Sequence, residues 1–131
     1  MSLQQISIFI ENHVGSLAEL TKIIKDEDIN IRALSIADSS DYGIIRLIVN
    51  HPDIAAEKLR SKGFIVNISN VLGIRMNDVP GAFHEVISVL AKSDVMVEYG
   101  YAFVSPVSGK AYVIIGTRDI DNATKVLTEN N

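Results

Sequence analysis

The most chemically specific stretch of the chain is Asn12-His13-Val14-Gly15-Ser16-Leu17, which sets an amide, an imidazole, a glycine and a hydroxyl within six positions. Without a Cβ, Gly15 lets main-chain amides approach a ligand closely. With a helix opening at Ser16, the amides of Ser16 and Leu17 lie at its N-terminus, where free N–H groups and the macrodipole favour an anion. A carboxylate suits that place. A plain turn fits the same residues: Gly15 as its hinge, Asn12 as a loop or capping residue, His13 as a surface histidine.

The stretch returns 66 positions later as Asp78-Val79-Pro80-Gly81-Ala82-Phe83. Without a gap, the same offset aligns Gly15 with Gly81, Glu19 with Glu85, Asp28 with Asp94, Gly43 with Gly109 and Asp53 with Asp119. An internal repeat outranks other sequence signals because it sets the whole architecture. It divides the chain into residues 1–70 and 71–131. Units this short bury only about 60% of their unfolded surface, so each is expected to pack on its twin or on another chain.

Composition narrows the function. The 131 residues are 47% hydrophobic with a net charge of −4, enough for a core and opposed to the basic face that nucleic acids need. Cysteine is absent, which removes disulfides, thiolate metal sites and thiol nucleophiles. No apolar run is long enough to span a bilayer and no secretory signal opens the chain, so a cytoplasmic location is expected. His13, His51 and His84 lack metal-ligand spacing, so no metal is expected. No cofactor is expected either, because there is no P-loop and no Gly-x-Gly-x-x-Gly fingerprint. The Gly-x-Ser-x-Gly elbow is also missing, and catalysis is not expected.

Hydrophobic period and turn residues give the elements. Residues 3–10, 29–37, 44–50 and 64–69 read as strands. Helices follow Ser16, as N-cap, and Pro52, in a first turn. Leu17, Leu20, Ile23 and Ile24 give the inward face of the first, Ala55, Ala56 and Leu59 that of the second. The second copy repeats this: a strand at 72–76, a helix with Phe83, Val86, Ile87 and Leu90 inward, strands at 95–104 and 110–116, and a helix at 119–129. Turns are expected at 39–43 and 105–109. The order β-α-β-β-α-β is the split βαβ or ferredoxin-like motif, an α+β fold with an antiparallel sheet and both helices on one face. The second copy has no last strand, which leaves 72–76 as a sheet edge. Tyr99, Tyr101 and Phe103 share one strand face by period 2, and with Tyr112 they fit a core or an interface. Arg32 and Glu98, at equivalent positions, offer an ion pair.

A strand, then N/D-x-P-G-x-L, then an amphipathic helix inside such a unit resembles the ACT domain. The fuller motif is Asp78-Val79-Pro80-Gly81-Ala82-Phe83, and the first copy departs from it with Val14 in place of proline. The resemblance covers nearly the whole chain and implies a tandem ACT protein: a non-catalytic module of allosteric regulation that binds a free amino acid or similar metabolite at its glycine loops, at a domain or subunit interface. The implied partners are a second copy, in a homodimer, and a metabolic enzyme that it regulates. By similarity to the serine-sensing domain of phosphoglycerate dehydrogenase, ligand contacts fall on Asn12 and Asn30, while a contributing histidine falls at Ile10 and is lost. Asn12, His13, Val14, Gly15, Ser16, Leu17 and Asn30 form the implied site of the first copy. Asp78, Pro80 and Gly81 are its counterparts in the second, where Met96 replaces Asn30.

Other classes fit less well. An acylphosphatase needs an arginine in the loop after the first strand, and the loop has none. An RRM needs exposed aromatics on its first and third strands with basic flanks. A ligand-free assembly module of the same fold remains the alternative.

Overall fold

The computed structural model describes residues 2–11, 13–38, 42–105 and 109–130. The elements follow as β1 (Ser2–Glu11), α1 (Ser16–Asp26), β2 (Ile31–Asp38), β3 (Tyr42–Val49), α2 (Pro52–Ser61), β4 (Ile65–Asn77), α3 (Ala82–Lys92), β5 (Tyr99–Ser105), β6 (Lys110–Gly116) and α4 (Ile120–Glu129). Much of the two expected turns, residues 39–41 and 106–108, lies outside the described residues. The chain divides into two compact units, Gln4–Ser69 and Asn70–Asn131, the latter taking in Met1–Leu3.

In Gln4–Ser69, antiparallel β3 pairs with both β1 and β2. On β1, Ile6 and Ile8 face one way and lie opposite Leu47 and Ile45 of β3. These four share one core with Leu20 and Ile24 of α1 and Ala56 and Leu59 of α2, so both helices cover the same face of the sheet. Leu17 is the exception to the expected inward stripe. It sits in the first turn of α1 and is 39% exposed.

In Asn70–Asn131, β6 pairs antiparallel with β4 and with β5. Leu72, Val113 and Ile115 pack with Leu90 of α3 and Ala123 of α4. Phe83, expected inward, is half exposed at the start of α3, and the buried stripe begins a turn later. The segment 95–98 is not strand, and β5 begins at Tyr99. Tyr99 lies opposite Gly116 in the ladder and its ring covers that glycine, while Phe103 stacks on Tyr112 with centroids 5.0 Å apart. Glu98 pairs with Arg118 at 3.1 Å.

Two strands expected at 64–69 and 72–76 are one strand, the 13-residue β4. Ser69-Asn70 makes no turn there, because a serine and an asparagine alone do not force positive φ. Nor is Gly73 of β4 bare: a Cβ there would fall 2.4 Å from the Leu3 side chain, which occupies the space.

Three helices end alike. Asp28 after α1, Gly63 after α2 and Asp94 after α3 have φ of 56°, 94° and 58°. In each case the next amide donates back to the helix: Ile29 to Ile24, Phe64 to Leu59 and Val95 to Leu90, at 3.2, 3.1 and 3.0 Å. This is the Schellman closure, which satisfies carbonyls the helix would leave orphaned.

Candidate functional site

The loop from β1 into α1 is tied by its own polar groups. The Ser16 hydroxyl donates to the Glu11 carbonyl at 2.9 Å, and the His13 amide donates to the same oxygen at 3.1 Å. Nδ1 of His13 lies 3.2 Å from the Val14 carbonyl and 3.0 Å from the Ser16 hydroxyl oxygen. A carbonyl only accepts, and the Ser16 proton is already committed to Glu11. Both contacts therefore require a proton on Nδ1. That arrangement makes the imidazole a donor within its own loop. It also gives the Ser16–His13 pair a structural use, because a nucleophilic serine would have to donate to the imidazole rather than to a main-chain carbonyl.

Ser16 is not the N-cap. Gly15 holds that position with φ 94°, and no side chain caps the helix. A serine cap needs an extended backbone one residue earlier, and the left-handed glycine instead turns Ser16 inward as the first helical residue, where it is buried. Gly81 does the same for α3 with φ 88°. Glycine is the residue that reaches such φ without Cβ strain.

Beside the first loop is an open concavity of about 430 Å³. Its walls come from one compact unit. β1 gives Phe9, Ile10 and Glu11; the loop and α1 give His13, Ser16 and Glu19. Tyr42 at the start of β3, and Lys62, Gly63, Phe64 and Ile65 between α2 and β4, complete it.

The structure thus brings His13 and Ser16 to one concavity and sets other expected residues elsewhere. Val14 is fully exposed, and Gly15 and Leu17 belong to the loop and first helical turn without lining the hollow. Asn30 is exposed just before β2. Its amide donates to Oδ1 of Asn50 at 3.0 Å, and its carbonyl accepts from the Asn50 amide at 3.3 Å. Asn12 lies outside the described residues. Asp78, Pro80 and Gly81 belong to the other compact unit, where the Asp78 amide donates to the Gly109 carbonyl at 3.0 Å. Lys110 there donates to the side-chain oxygen of Asn77.

Sequence reasoning missed Glu19, Tyr42, Lys62 and Phe64. Only two hints existed: Glu19 recurs as Glu85, and Lys62 precedes a helix-ending glycine. Among the described residues no group of three or more His, Asp or Glu side chains is arranged to hold a metal ion. No described helix is long and apolar enough to cross a membrane.

No curated protein matches the chain. Among solved structures, a Bacteroides thetaiotaomicron protein is 41% identical with a TM-score of 0.93, over 99% of this chain and 89% of that one. The ligand-free regulatory subunit of aspartate kinase from Thermus thermophilus is 14% identical with a TM-score of 0.70, over 96% of this chain and 91% of that one. The corresponding subunit from Thermus flavus gives 14% and 0.66, over 96% and 90%. These two share the fold. A family model described as an ACT domain pair matches residues 1–131. With the repeat, two helices on one face of the antiparallel strands in each unit and a left-handed glycine opening the first helix of each copy, the match is decisive: the chain belongs to the ACT domain pair family.

Proposed function

We propose that this chain is a non-catalytic regulatory protein that binds a free amino acid at the glycine loop between β1 and α1, and that it acts on a metabolic enzyme as a cytoplasmic homodimer. One observation carries the reading. Gly15 turns the chain so that α1 starts without a side-chain cap, and Ser16 and His13 of that loop line a concavity. The Ser16 amide, expected to be free, is taken by the His13 carbonyl at 3.2 Å; the Leu17 and Ala18 amides of the first turn are the ones that suit a carboxylate. Two Thermus proteins of this fold are described as regulatory subunits of aspartate kinase, which supports a regulatory role. Asn12 and Asn30 keep their proposed part as acceptors for the ligand's ammonium.

Thermal-shift measurement against the twenty amino acids tests this. At least one is expected to raise Tm, with the rise growing with ligand concentration. Asn12→Ala is expected to reduce that rise. No shift with any of the twenty sinks the proposal. Sedimentation velocity reads the dimer.

A second reading, an assembly module, is favoured by the other glycine loop. Val79 and Phe83 are 58% and 50% exposed there, and Met96, ahead of β5, is 76% exposed. At the equivalent positions the first copy has His13, Leu17 and Asn30. Apolar groups held in water suit a protein surface better than a small polar ligand.

A further inference from the structure

We propose that, within Asn70–Asn131, the face of β4, β6 and β5 turned away from α3 and α4 docks an acidic protein segment, held by Tyr101, Phe103 and Tyr112 and by the cations Arg75 and Lys110. This goes beyond the amino-acid reading above and does not depend on the glycine loop. Leu72 of β4 and Val113 and Ile115 of β6 pack with the helices. By alternation their strand neighbours point the other way. The ladders then set Arg75, Tyr112 and Phe103 in one row across the three strands. Neighbours in such a row stand about 5 Å apart. Tyr101 and Lys110 lie on the same face, each two residues before a member of that row. Phe103 is 38% exposed, and its ring stacks on Tyr112 with the planes 12° apart.

The charge on this face has one sign. None of the three strands contains Asp or Glu, although the whole chain carries a net charge of −4. Arg75 is exposed and pairs with no carboxylate among the described residues. Lys110 donates to the Asn77 side chain and keeps two further N–H groups.

The first copy is an internal control. Tyr99, Tyr101 and Phe103 correspond by the 66-residue offset to Ala33, Ser35 and Ala37, while Arg75 and Lys110 correspond to Phe9 and Ile44. The same strands therefore form without this set, and folding alone does not call for it. Tyrosine and arginine are the residue types that anchor protein interfaces, and carboxylates complete Arg75 and Lys110 through charge-assisted hydrogen bonds. Two such faces set together would bring cations to cations with no carboxylate on either side, so a second copy is not the occupant. Two cations on an acidic chain are also too few for a nucleic-acid backbone.

NMR titration of the full ¹⁵N-labelled chain tests the proposal. One probe is a short synthetic peptide alternating serine with aspartate and phenylalanine, so that the acidic and aromatic groups share one strand face. The other has lysine in place of each aspartate. The acidic peptide is expected to shift amides of β4, β5 and β6 and to bind at least about tenfold more tightly than the basic one, with affinity falling as salt is raised. Arg75→Gln is expected to weaken it about tenfold. The double variant Tyr101→Ser, Phe103→Ala takes the residues of the first copy, so the fold accepts it, and is expected to weaken binding at least as much. Both variants leave the glycine loop intact, so any rise in Tm with an amino acid is expected to persist in them. Absence of that rise in the wild type sinks the earlier reading alone. Failure of the acidic peptide to bind, equal binding of the two peptides, or wild-type affinity in both variants overturns the docking surface alone. Tighter binding of polyuridine RNA to the same strands also overturns it, as does a wild-type dimer that the double variant dissociates in sedimentation velocity.

Discussion

Asp28 and Asp94, 66 positions apart, share a left-handed backbone at φ 56° and 58°, each just beyond the first helix of its copy. Aspartate is doubly unsuited there. An L-residue in this region carries about 1–2 kcal/mol of steric strain. Its carboxylate also faces the negative end of the helix dipole. Gly63, at the matching place after α2, shows that the fold accepts glycine there. Asp28→Gly and Asp94→Gly are each expected to stabilise the protein by about 1 kcal/mol, read as a higher urea midpoint at unchanged m-value.

Ser16→Ala removes the hydroxyl that joins the Glu11 carbonyl to the His13 ring. Two contacts go, but the carbonyl keeps the His13 amide and the imidazole keeps the Val14 carbonyl, so no group is left unpaired and the expected loss is about 1 kcal/mol. His13→Ala leaves the Ser16–Glu11 bond in place and is expected to cost less than half as much. Chemical denaturation of both variants separates the roles. An equal or larger loss for His13→Ala would move the centre of the network from the serine to the imidazole.

Tyr99 over Gly116 yields a coupled pair. A Cβ at Gly116 would lie 2.1–2.6 Å from three ring carbons of Tyr99, so the ring must leave its place. Gly116→Ala is expected to destabilise by about 1–3 kcal/mol, the usual range for overpacking. In a Tyr99→Ala background the same change should be nearly neutral. A double-mutant cycle reads the coupling, and additive penalties would contradict the packing described.

Among the described helices Asp119 is the one N-cap that uses its side chain: its carboxylate accepts from the Asn122 amide at 3.2 Å. Asp119→Ala is expected to cost about 1 kcal/mol, and Asp119→Asn, which keeps the acceptor, much less. Thermal melts of the two variants suffice.

Much of the fold could be read from residue identities because its signals are local and doubled. Gly15 and Gly81, like Asp28 and Asp94, mark the same bends in both copies, and Leu20, Ile24, Ala56 and Leu59 fall at helical spacing and are buried. What escaped needed either one residue of register or proximity in space. Ser16 was one position too late to cap, a distinction that depends on the φ of the residue before it. Leu17 and Phe83 are apolar at the right spacing, yet they sit in first turns, ahead of the buried stripe. Glu19 and Lys62 are 43 positions apart and share one hollow only through folding, which no short motif encodes.

The placement of Leu3 against Gly73 has a practical corollary for anyone dissecting the molecule. Scissors at the repeat boundary injure both products. A fragment from Asn70 onward departs without the leucine that shields its glycine, and the cut itself falls in the middle of β4 rather than in a loose tether. Shuffling these copies between proteins as interchangeable cassettes would therefore call for a transplanted N-terminal tripeptide, not merely a clean excision.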